Sequence, residues 1–200
     1  GTDLPAILRD IAPEVKAVFS VERLPPAELV KLYNNVDVTI NMASAEGFGI
    51  ATLETNMTEL MIIATVTGGL QDQCGSTNES GNPVEFNLDW GTNADGRYKK
   101  HGTWVTPIFP GARMVQGSIP TPYILADYAR WEDCAEAFMY WYALGKEKRR
   151  EYALAGREWM YNTNNLSAES MCEKMAQGLN GMMANWKGKE RFNIHHHDEF

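Results

Sequence analysis

The chain has 200 residues, a net charge of −8, 44% apolar and 22% charged residues. This length and apolar fraction suit one domain with a real core. The acidic balance argues against a general nucleic-acid binder, whose affinity rests on phosphate contacts. The cysteines Cys74, Cys134 and Cys172 show neither pairing nor metal-ligand spacing, and no apolar run approaches the roughly 20 residues of a membrane span. Reduced thiols, no membrane span and a cytoplasmic setting are therefore expected. The opening G-T-D-L-P has none of the features of a signal peptide.

In chain order, Leu4 to Ile11 reads as a short helix capped by Asp3, with Pro5 tolerated in the first turn. Val15 to Val21 alternates as a strand does. Pro25 and Pro26 open a helix with Leu29, Leu32 and Tyr33 on one face, and Val36 to Met42 is the next strand. A glycine turn follows, then a helical pattern with Ile50, Leu53 and Met57 on one side. Leu60 to Val66 is a continuous apolar strand, and Thr67 to Leu70 carries the turn Gly68-Gly69. Strand and helix alternate, which predicts an α/β fold: a Rossmann-like, doubly wound parallel sheet with helices on both faces.

From Gly75 to Pro122 the pattern collapses into Gly, Asn, Pro and Asp. A structureless connection of that length is uncommon in a compact domain, so residues 75–122 read as an inserted surface loop within a single lobe spanning 1–200. T-W-V-T-P and A-R-M-V-Q-G read as the two arms of a small hairpin. His101 and the basic tip Arg97, Lys99 and Lys100 read as solvated. Beyond it, Trp131, Cys134, Ala135, Phe138, Tyr142 and Leu144 form an apolar helical face. Lys146 to Met160 reads as a second helix, and Ser167 caps a last one with a Met stripe from Met171 to Trp186. The tail R-F-N-I-H-H-H-D-E-F reads as a disordered end rather than a functional metal site, and no metal-ligand cluster is visible elsewhere.

The chemistry concentrates in S-A-E-G-F-G-I-A-T-L-E, Ser44 to Glu54, between two buried strands. Strand, glycine turn and helix place Glu46 at the carboxyl end of a parallel strand, where open α/β sheets bind ligands. Gly47 and Gly49 let backbone approach a ligand, and the N–H groups of Phe48, Gly49 and Ile50 lie at a helix N-terminus that suits a phosphate or sugar hydroxyls. One carboxylate can accept hydrogen bonds from both hydroxyls of a ribose, a role that fits Glu54, while Glu46 is placed for hydroxyls of a transferred sugar. Gly68 and Gly69 form a second candidate contact on the same rim. Read alone, the two glutamates are also compatible with a favourable acid near a helix N-terminus and an ordinary exposed helical residue.

This stretch resembles the motif of the retaining, nucleotide-sugar-dependent glycosyltransferases of the two-Rossmann (GT-B) fold, in particular the glycogen-synthase- and sucrose-synthase-like group 1. That family carries two glutamates separated by seven intervening residues with G-F-G after the first, here Glu46, Gly47-Phe48-Gly49 and Glu54. Pro26 to Val38 and T-V-T-G-G-L-Q-D, Thr65 to Asp72, extend the likeness, which covers Lys16 to Asp72 and resumes more loosely from Ile124. The resemblance implies the C-terminal, donor-binding lobe. Its donor would be a nucleoside-diphosphate sugar, its acceptor a hydroxyl, and it would need no metal or further cofactor. Glu46 would be catalytic, and Gly47, Phe48, Gly49, Ile50, Glu54, Gly68 and Gly69 would bind the donor. The family's diphosphate clamp, a Gly-Arg turn and a Lys, finds no counterpart before the motif. A partial lobe, a missing N-terminal lobe, self-association through an exposed edge and no turnover by the isolated chain are therefore expected. A sugar-nucleotide epimerase of the same architecture, and a non-catalytic nucleotide-binding or assembly module, are the alternatives.

Overall fold

The computed structural model describes residues 3–84 and 100–188. The chain falls into two compact units, Gly1–Val36 and Asp37–Phe200. In the first, α1 (Leu4–Ile11) is capped as expected: Asp3 Oδ1 accepts from the Ala6 amide at 3.0 Å. α2 (Pro26–Tyr33) begins with Pro26 inside its first turn, where the missing N–H costs nothing. The strand expected over Val15–Val21 does not form. That segment is irregular, with Val18 and Val21 fully or nearly fully exposed. Alternation there met no neighbouring strand, and a strand without a ladder leaves its backbone groups to water.

The second unit holds a three-stranded parallel sheet in the order β1 (Val38–Asn41), β2 (Met61–Thr65), β3 (Val105–Ile108). β2 is the centre, paired with β1 from Val38↔Met61 and with β3 from Ile62↔Val105, and all five of its residues are buried. A strand buried on both faces must be apolar throughout, and M-I-I-A-T is nearly so. Ile62 and Ala64 pack with Leu70, Trp104 and Met160, against which Leu53 and Met57 of α3 (Ile50–Met57) rest. Met61 and Ile63 point the other way, into Ala137 and Trp141 of α4 (Trp131–Leu144) and Ala153 of α5 (Lys146–Glu158). Helices thus cover both faces, the Rossmann-like α/β arrangement.

Residues 75–122 are not a peripheral loop throughout. They supply β3, and Trp104, Val105 and Ile108 are buried on the two faces of the sheet. T-W-V-T-P is therefore a core strand rather than a hairpin arm. The hairpin that does form joins β4 (Ala112–Ser118) to β5 (Thr121–Tyr128), antiparallel and separate from the main sheet. The composition of the flanking Gly-Asn-Pro stretches masked a short strand whose core position comes from β2 beside it. His101 is exposed, as expected, while Arg97, Lys99 and the histidine tail lie outside the described residues.

The apolar face of α4 also differs in register. Ala137 and Trp141 are the buried positions, whereas Trp131, Phe138 and Tyr142 are exposed. α5 runs into a π-helical turn, Trp159–Thr163, which sets Trp159 against Trp104 at 5.1 Å between ring centroids. α6 (Ala168–Asn185) is capped by Ser167, whose Oγ accepts from the Ser170 amide at 3.2 Å. Its Met stripe stands in solvent, with Met171, Met175 and Met183 all more than half exposed.

Candidate functional site

The motif turn leaves the carboxyl end of β1 and enters α3, as the sequence predicts. Gly49 is the N-cap of α3 with φ +83°, a left-handed conformation that a side chain resists. No side chain caps this helix end among the described residues, so the first amides of α3 carry the helix's partial positive charge at the rim. Glu46 is half-buried and its Oε1 accepts from the Gly47 amide at 3.0 Å. Phe48 is half-buried, Ile50 is 65% exposed, and Glu54 is exposed on the second turn of α3.

The second glycine turn lies directly on the first. The Gly69 amide donates to the carbonyls of both Glu46, at 3.3 Å, and Gly47, at 3.1 Å. A Cβ at Gly69 would meet the Gly47 carbonyl oxygen at 2.4 Å. Gly68 and Gly69 are therefore glycines because one backbone presses on another, a reason independent of any ligand. Glu46 to Ile50, Gly68 and Gly69 lie on these two turns and the helix start, and Glu54 lies one turn further along α3.

Sequence reasoning passed over the side chains that fasten the turns. Gln73 is fully buried in the 3-10 helix Gly68–Gln73, and its Nε2 donates to the carbonyls of Phe48, at 2.6 Å, and Gly49, at 3.1 Å. Gln71 Nε2 donates to the Gly68 carbonyl at 2.9 Å. Asp127 of β5 reaches the rim from the hairpin and accepts from the Thr67 hydroxyl at 2.9 Å. Its carboxylate also raises the pKa of the Arg113 guanidinium, which it bonds. A lone Asp in the apolar run Y-I-L-A-D-Y, facing a lone Arg in A-R-M-V, was the available signal for this pair.

Beside the motif lies an open cleft of about 530 Å³, walled by Phe48 and Trp159 and lined by Gln71, Asp72, Ser76 and Lys174. Gln71 and Ser76 are buried, and among the described residues their Oε1 and Oγ meet no hydrogen-bond partner. Partial desolvation by the surrounding protein raises the pKa of the Asp72 carboxyl. Asp72 is exposed within the 3-10 helix, and its carbonyl accepts from Asn164 Nδ2 at 3.3 Å. Among the described residues, no three His, Cys, Asp or Glu side chains gather as metal ligands do, and no helix is long and apolar enough to cross a membrane.

Comparison with known proteins converges on this rim. The family model described as "Glycosyl transferases group 1" matches residues 13–96. A curated relative, the D-inositol 3-phosphate glycosyltransferase of Corynebacterium urealyticum, is 36% identical over 74 residues, which make up 36% of this chain and 18% of the relative. The chain thus spans only a small part of that relative's length. The family match runs through the motif turn, α3, β2 and the second glycine turn, and on that segment the chain is similar to the group 1 glycosyltransferases.

Proposed function

We propose that this rim binds a nucleoside-diphosphate sugar and serves its transfer to a hydroxyl acceptor with the anomeric configuration retained. The observation that carries the reading is the union of the two glycine turns. Through the Gly69 amide they make one surface, which carries Glu46 and the start of α3, with Glu54 one turn further along that helix. Glu54 would accept hydrogen bonds from the ribose hydroxyls, the charge-assisted kind that are strong. The backbone at Phe48, Gly49 and Ile50 would face the diphosphate or the sugar, where the helix dipole favours negative charge. Glu46 would hold hydroxyls of the transferred sugar. Catalysis on such a surface is mainly electrostatic and positional: the departing diphosphate is stabilised, and the acceptor is held in line. The cleft beside Phe48 suits a saccharide, whose apolar face rests on aromatic rings and whose hydroxyls seek groups such as Gln71 and Asp72.

The test is a calorimetric titration of the full chain with UDP-, GDP- and ADP-linked hexoses, repeated with Glu54→Gln. Saturable binding of one donor, weakened by the substitution, supports the reading. Binding of none of the three, or equal binding by parent and variant, overturns it. A transfer assay with the donor that binds then follows, with D-inositol 3-phosphate as the first acceptor on the strength of the relative's name.

A further inference from the structure

The β4–β5 hairpin contributes nothing to either core cluster beside the sheet. Met114, Val115 and Leu125 are half exposed or more. Its buried apolar residue is Ala126, 2% exposed, and its polar attachment to the lobe centres on the next residue. Asp127 is 4% exposed, stands directly opposite Arg113 in the hairpin, and takes Nε at 2.6 Å and Nη2 at 3.0 Å in a two-pronged bond. Its Oδ2 also accepts from the hydroxyl of Thr67, itself 3% exposed, at 2.9 Å. Its amide donates to the Ser44 carbonyl at 2.7 Å. Ser44 opens the motif turn and lies two residues before Glu46. Thr67 immediately precedes Gly68-Gly69. One buried residue therefore reaches the entry to both glycine turns, its carboxylate holding Thr67 and its backbone amide holding Ser44, and the hairpin steadies the carboxylate through Arg113.

We infer that Asp127 is a positioning residue for the rim, setting the spacing of the two glycine turns through Thr67 and Ser44; this rests on the reading of that rim as the donor site. A buried carboxylate persists only where its hydrogen bonds are met, so its geometry is stiff, and charge-assisted bonds are the stiffest available. Gly69 joins the turns from within, and Asp127 fixes them from outside. With Ala126 as the only buried apolar side chain among its described residues, the hairpin has this clamp as its described polar tie to the rim. Loosening it lets the motif turn shift relative to α3, and displacements of that kind at a binding surface are costly to the reaction.

The experiment compares the full chain with Asp127→Asn, Asp127→Ala, Thr67→Val and Thr67→Ser. Amide hydrogen exchange is followed at residues 44–50 and 67–70 and, as a control, in β2. UDP, GDP and ADP binding is measured in parallel. Asp127→Ala and Thr67→Val are expected to speed exchange in the two turns by roughly tenfold with β2 protection unchanged. They should weaken whichever nucleoside diphosphate the parent binds by roughly tenfold. Thr67→Ser, which keeps the hydroxyl, should behave as the parent, and Asp127→Asn, which keeps an acceptor oxygen, should fall between. Unchanged exchange in the turns overturns the inference. So does loss of β2 protection together with that of the turns in Thr67→Val, because the contact would then serve the fold as a whole. Should the parent bind none of the three nucleotides, the donor-site reading fails, while the exchange data still decide whether Asp127 sets the turns.

Discussion

A Cβ built on Gly68 would stand 1.8 Å from the carbonyl oxygen of Glu46. Gly68 also has φ +48°, in the left-handed region. The second turn and the motif turn are thus in backbone contact at the residue whose side chain is the catalytic candidate. Gly68→Ala is expected to destabilise the lobe by several kcal/mol, on the order of the 1–3 kcal/mol of a strained left-handed residue plus the clash. Urea unfolding followed by tryptophan fluorescence measures it. A variant as stable as the parent would show that the turns separate easily.

Gly49→Val is expected to fail in folding before it fails in binding. A Cβ there would lie 2.4 Å from Leu70 Cδ2, inside the core, with φ at +83°. The sequence alone suggests that a branched side chain would block an approaching donor, but the nearest obstacle is the protein's own leucine. Circular dichroism melting of Gly49→Val, beside Gly47→Ala at a position with open space, separates the two. A large fall in Tm is expected for the first and a small one for the second.

Trp104→Ala is expected to cost about 3–5 kcal/mol, the range for deleting a large buried aromatic. Trp104 is buried, stacks on Trp159, and donates from its indole nitrogen to the Gln73 carbonyl at 3.0 Å. Replacing all of 75–122 by a short linker should therefore unfold the lobe, because it removes β3 from the edge of β2. Equilibrium denaturation checks the first expectation. A cooperative transition in the deletion variant would count against the second.

Glu54→Gln is expected to weaken donor binding by about 1.5–3 kcal/mol, the worth of a hydrogen bond to a charged group. Glu54 is exposed, so its effect on folding should stay within about 0.5 kcal/mol. Parallel calorimetry and thermal melts read the two quantities on the same samples.

Cys74 is fully buried, and burial pushes its thiol up to about 12, with a further rise from the charge of Asp72. The folded state keeps the proton where the unfolded thiol, near 8.5–9, has lost it. The unfolded state then binds fewer protons, so this group lowers stability as pH rises above about 9, by at most about 1.4 kcal/mol per pH unit until the folded thiol titrates. Urea midpoints across pH 7 to 10.5 should fall at the alkaline end, and less so in Cys74→Ala once the cavity cost is subtracted. At pH 8 a thiol reagent should modify exposed Cys172 first, partly buried Cys134 slowly and Cys74 only on unfolding.

The elements around the motif were legible because their information is local. Val38–Asn41, Ile50–Met57 and Met61–Thr65 announce themselves by apolar periodicity and a glycine turn. The two helix caps, Asp3 and Ser167, need only a side chain and an amide three residues on. The closeness of the turn at Glu46 and Gly49 to the turn at Gly68 and Gly69 followed from parallel strands ending on the same side. What the tertiary structure alone decided is non-local. Val15–Val21 alternates as a strand but has no ladder, while Val105–Ile108, short and set in loop-like sequence, is a strand because β2 offers it an edge. Gln73, Thr67 and Asp127 carry no motif of their own. Their roles arise from hydrogen bonds across 24 to 60 positions of sequence, which exist only once the chain has brought two turns and a hairpin together. Local periodicity determines which segments bury a face, and the satisfaction of buried polar groups determines how those segments are fastened into a site.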